Sequence, residues 1–64
     1  MERKMVSAED SRAIAADMDN PPFTTLTIFE QMEIRKMYGY EILTYVDYLF
    51  VRERYLERQK ENLG

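Results

Sequence analysis

The sequence predicts an all-α fold: a short N-terminal helix, a Pro-Pro turn, and a long C-terminal helix or helix pair completed as a dimeric bundle. Three observations carry this reading. Ile42, Leu43, Val46, Leu49 and Phe50 recur at helical spacing, i, i+1, i+4, i+7 and i+8. Ser7 and Thr27 stand where helix N-caps belong, each before a stretch of helix formers. The prolines are confined to one place, Pro21 and Pro22.

Residues 1–6 are expected to fray. Ser7 then caps a helix over 8–18, with Glu9 and Asp10 in the first turn, where the helix dipole favours negative charge. Its apolar side is thin, made of Ala8, Ile14, Ala15 and Met18. A helix of about 11 residues with so little to bury is marginal alone in water. Residues 19–24 form the turn, because each proline disfavours the α region before it and lacks a backbone donor.

The run 23–29 has high β propensity, but Thr27-Ile28-Phe29-Glu30 matches a capping box, and Thr24 is a second possible cap with Phe23 and Ile28 as a hydrophobic staple, so a helix is expected to start between 25 and 28. From there the pattern is helix-compatible over 26–62. Gly39 is the one interruption and costs about 1 kcal/mol against alanine inside a helix. It either bends a continuous helix or divides a helix pair, and a one-residue link is short for a hairpin of helices. The bent continuous helix is the preferred expectation. Within 40–51 a strand would also alternate, yet both of its faces are partly apolar, so alternation separates nothing.

Read as one helix, 40–56 carries two stripes. Ile42, Leu43, Val46, Leu49 and Phe50 continue backward to Ile28, Phe29 and Met32, interrupted by Arg35, Lys36 and Gly39, and form the expected core or dimer face. Tyr38, Tyr45, Tyr48 and Tyr55, with Arg52, lie about 100° or more around the helix. Tyrosine and arginine combine large contact area with a polar tip and are enriched in interface cores. These five residues are the expected partner-binding face. A small soluble helix ordinarily needs only one apolar stripe, so two stripes imply a second neighbour, from this chain's copy or another protein.

Composition narrows the function. A chain of 64 residues holds one domain and buries only about 60% of its unfolded surface. Such chains need a staple, and no cysteine or histidine is present to supply disulfides or the usual metal ligands. No cofactor is expected. Association, as a homodimer or with a protein target, is the staple that remains. The net charge is −3, and Arg52, Arg54, Arg58 and Lys60 are interleaved with Glu53, Glu57 and Glu61, which argues against nucleic acid. No run approaches the roughly 20 apolar residues of a membrane span, and the N-terminus lacks a signal-peptide core. A cytoplasmic protein is expected. Glu30 with Glu33, or Glu41 with Asp47, are the only carboxylate pairs worth weighing for catalysis. No nucleophile–base pair or phosphate-cradling loop accompanies them. The expected function is therefore binding: a small module that inhibits or scaffolds a protein target through an aromatic helical face. A structural subunit of a larger assembly is the second expectation, and a dimeric nucleic-acid-binding regulator the third.

Overall fold

The computed structural model describes residues 5–63, with side chains through residue 61. The expectation of fraying at 1–6 falls mostly on residues 1–4, outside the described residues. Three α-helices and no strand occur among the described residues: α1 (Ala8–Met18), α2 (Ile28–Met37) and α3 (Tyr45–Leu63), with a 3₁₀ turn at Phe23–Thr25.

Each helix begins on a cap. The Ser7 hydroxyl accepts from the Asp10 amide, leaving Glu9 and Asp10 in the first turn of α1. Before α2, Thr27 accepts from the Glu30 amide while the Glu30 carboxylate accepts from the Thr27 amide, a reciprocal capping box. The third start repeats this device. Thr44 Oγ1 accepts from the Asp47 amide, and Asp47 Oδ2 accepts from the amides of Leu43 and Thr44. These side chains satisfy amides that a helix leaves without partners at its N-terminus.

The continuous helix expected through Gly39 does not form. Tyr38 ends α2 at φ −62°, ψ 126°, and Gly39 follows at φ +86°. The Tyr40 amide bonds back to the Met37 carbonyl at 3.0 Å. These are the dihedrals and the closing bond of a type II turn, which needs positive φ at its third residue and so favours glycine. Met37 O also accepts from the Ile42 amide, and the Gly39 amide donates to Ile42 O, both at 2.9 Å. Residues 38–44 thus form a loop tied back to the Met37 carbonyl and closed by the Gly39–Ile42 bond, and α2 and α3 are a helix pair.

Between α1 and α2 the chain passes a cis Pro21–Pro22 bond and the 3₁₀ turn, which sinks Phe23 and then Leu26 into the core. The core is one cluster formed by Ile14 and Met18 of α1, Phe23, Leu26, Ile34, Ile42, and Tyr48, Val51 and Tyr55 of α3. α3 is the common partner: α1 packs along it, and α2 runs back against it, with Glu33 meeting Tyr55 and Glu30 meeting Gln59. Gln59 Nε2 also reaches the Thr25 carbonyl at 3.4 Å, which ties the far half of α3 to the 3₁₀ turn.

Candidate partner-binding surface

In the single chain the two stripes exchange places: the tyrosine stripe turns inward, and most of the aliphatic stripe, expected as core or dimer face, lies outside. Tyr48, expected on the partner face, is fully buried at 0% exposure, and Tyr55 is buried as well. The Tyr48 ring packs against Phe23 with centroids 6.1 Å apart and stacks on Tyr45 at 6.0 Å. Its hydroxyl donates to Asp17 Oδ2 at 2.6 Å. Arg52 Nη1 reaches the same oxygen at 2.9 Å, an ion pair between side chains that keep about one-sixth of their exposure (15% and 16%). Arg52 Nε is buried with no hydrogen-bond partner among the described residues. Tyr55 donates to Glu33 Oε1 at 3.3 Å, under the Arg58 guanidinium 5.5 Å from its ring. Tyr38, half-buried, shares a hydrogen bond with the Ser11 hydroxyl. Tyr45 is half-buried against the core.

The reason for the exchange lies on the neighbouring helices. Asp17 and Ser11 on α1 and Glu33 on α2 meet the tyrosine hydroxyls, so the rings can be buried without leaving a polar group unpaired. A stripe with polar tips suits a core whose walls carry acceptors. Burial and then the Asp17 hydrogen bond and charge push the Tyr48 hydroxyl well above its ordinary pKa, with Arg52 pulling the other way. Tyr55 is raised by burial and then by Glu33. Burial opposes the Arg52 charge, but Asp17, with smaller help from Tyr48 and Glu53, outweighs it and raises the Arg52 pKa.

Of the eight residues expected in the core or dimer face, only Ile42 is buried in the core. It is held by the 38–44 loop rather than by a helix. Leu43 and Leu49 are half-buried. Ile28, Phe29 and Met32 on α2 are 71%, 71% and 53% exposed, and Val46 and Phe50 on α3 are 58% and 70% exposed. These five cannot be core of the single chain. The cause is helical phase. α2 turns Glu30, Glu33, Ile34 and Met37 inward, and α3 turns Tyr48, Val51, Arg52 and Tyr55 inward. At 100° per residue, Ile28 and Met32 on one helix, and Val46 and Phe50 on the other, fall on the opposite sides.

Two concave features accompany these outward stripes. Val46, Leu49, Phe50 and Glu53 line a shallow depression of about 270 Å³ on α3. Ser11, Ile14, Ala15, Met18, Arg35 and Tyr38 line an open groove of about 300 Å³ between α1 and α2. Arg35 lies 5.7 Å from the centre of the Phe23 ring and is in no ion pair among the described residues. No group of three or more carboxylate, cysteine or histidine side chains among the described residues is placed to hold a metal ion. No helix among them is long and apolar enough to cross a membrane.

The fold and this surface define a small three-helix domain with a polar-tipped tyrosine core and apolar stripes exposed on α2 and α3. No protein-family model, curated protein or solved structure matches the chain.

Proposed function

We propose that this chain is a protein-interaction module, and that its contact surface is the outward apolar side of α2 and α3 rather than the tyrosine stripe. One observation carries the reading: five large apolar side chains, in two helical stripes, are more than half exposed. Scattered single apolar residues on a surface need no explanation, but grouped ones mark interaction sites. Ile28, Phe29 and Met32 are neighbours on α2, and Val46, Leu49 and Phe50 share one depression on α3. Binding acts by occupation: the module inhibits or scaffolds a protein target by covering a surface of it, and self-association, most simply as a homodimer, uses the same side chains. A cysteine-free chain suits a reducing compartment such as the cytoplasm.

The structural-subunit reading shares this surface and differs in predicting that the isolated chain aggregates or loses its helices. A nucleic-acid reading is weakened by Arg52, which is held by Asp17 inside the fold.

The test is sedimentation equilibrium with far-ultraviolet circular dichroism on the wild type and on Val46→Ser/Phe50→Ser. Both substitutions are at exposed positions, so helix content should be preserved. The wild type should associate, with itself or with the target that co-purifies with it, and the variant should lose that association. Unchanged association in the variant would overturn the assignment of the surface.

A further inference from the structure

The two outward stripes complement one another. On α2, Ile28, Met32 and Arg35 are spaced i, i+4, i+7 along the side turned away from α3. On α3, Val46, Phe50 and Glu53 have the same spacing along the side turned away from the core. Each stripe thus reads apolar, apolar, charged, and the closing charges are opposite. Within one chain the stripes cannot meet. α2 and α3 run antiparallel through the 38–44 loop and turn these sides away from each other.

We propose that the outward stripe of α3 in one copy packs in parallel on the outward stripe of α2 in a second copy. This rests on the reading of the outward surface as an interaction surface and names its occupant. Aligned in parallel, Ile28 faces Val46, Met32 faces Phe50 and Arg35 faces Glu53. Lys36 and Arg54, one position further along each helix, fall on opposite flanks of the pair and do not confront each other.

Other self-pairings lack this match. Parallel α3 on α3 sets Glu53 against Glu53, and parallel α2 on α2 sets Arg35 against Arg35. Antiparallel α2 on α3 sets the Arg35 charge against Val46. Like charges brought face to face oppose association and opposite ones fix register.

Both closing charges are available. Arg35 is exposed and in no ion pair among the described residues; at the edge of the α1–α2 groove its guanidinium lies 5.7 Å from the Phe23 ring, a contact it gives up to meet Glu53. Glu53 keeps 62% of its side-chain exposure, and its one ion pair is with Arg52 at 3.8 Å. The depression lined by Val46, Leu49, Phe50 and Glu53 provides the concave half of the contact. The contact is heterologous, joining one patch to a different patch. Because the two stripes face away from each other, one partner covers only one of them: a single contact joins two copies in an open pair, and repetition gives a chain of copies.

Charge reversal tests this. Arg35→Glu and Glu53→Arg, made singly, should each weaken self-association about tenfold or more, while circular dichroism shows the helices intact. The double reversal should restore it, because the pair is rebuilt with its signs exchanged. A wild type that stays monomeric at millimolar concentration would overturn the proposal. So would single reversals without effect, or a helical double variant that fails to regain association. If Val46→Ser/Phe50→Ser abolishes binding while the reversals change nothing, the outward surface is right and its pairing with a second copy is wrong. If neither set changes any association, both readings fail.

Discussion

Tyr48 is the residue on which the architecture turns. Its ring fills the centre of the core between Phe23 and Tyr45, and its hydroxyl anchors α1 through Asp17. Tyr48→Phe should keep the packing and lose a hydrogen bond to a charged group, at a cost of about 1.5–3 kcal/mol, read by urea denaturation. The same bond sets an alkaline limit. An unfolded tyrosine ionises near pH 10, whereas folded Tyr48 and Tyr55 hold their protons to higher pH. Their contribution is therefore fully present below about pH 10 and is lost as pH rises through the folded pKa values, since only the unfolded chain gains by releasing the protons. Unfolding free energy should fall between about pH 10 and 12, less steeply in Tyr48→Phe. An unaltered slope in that variant would remove Tyr48 from the account. Gly39 is the other decisive residue. A Cβ there meets nothing within 4 Å, so Gly39→Ala is opposed by the backbone alone, at φ +86°. About 1–2 kcal/mol of stability should be lost, with the helix content of the native state unchanged.

At the level of elements, the chain's own punctuation was partly legible. Ser7 with Asp10 and Thr27 with Glu30 are cap signatures at the spacing the backbone requires, and α1 and α2 start on them, Thr27 and not Thr24 taking the second cap. Thr44 and Asp47 carry the same signal, a hydroxyl residue followed three positions later by a carboxylate. It was hidden because 40–51 is apolar enough to read as the interior of one helix. Taking Thr44 as a helix start would have removed Ile42 and Leu43 from the aliphatic stripe. It would also have turned Gly39 from a kink into the positive-φ corner of a turn. Thr44→Ala should cost about 1 kcal/mol and shorten α3 at its first turn, which amide exchange of 45–48 would detect; protection equal to wild type there would argue against the cap. The faces were harder to assign from sequence. Periodicity gives two stripes on α3, but which one is buried depends on acceptors contributed by other elements: Asp17, Glu33 and Ser11. No local pattern links these to the tyrosines, since they stand 22 to 31 residues away in sequence. For the same reason periodicity left Val46 and Phe50 open between a core and a dimer face.

As a whole, the molecule combines a core rich in satisfied hydroxyls with an exterior that carries unsatisfied apolar area. A small chain has few ways to gain burial, and here two apolar stripes stay exposed among the described residues. The proposed function links to the packing here: the side chains that fail to find a place in the core are the ones we propose take a partner. The account stands on the exchange of the two stripes, so the most direct measurement compares them. Tyr48→Ala/Tyr55→Ala and Val46→Ser/Phe50→Ser should be melted side by side, followed by circular dichroism at a concentration low enough to keep both dissociated. Truncating a large buried aromatic costs about 3–5 kcal/mol, so the tyrosine variant should be largely unfolded at 25 °C. The outward variant should melt within a few degrees of the dissociated wild type. A folded tyrosine variant beside an unfolded outward variant would contradict the account, for it would mean that the aliphatic stripe is the core after all.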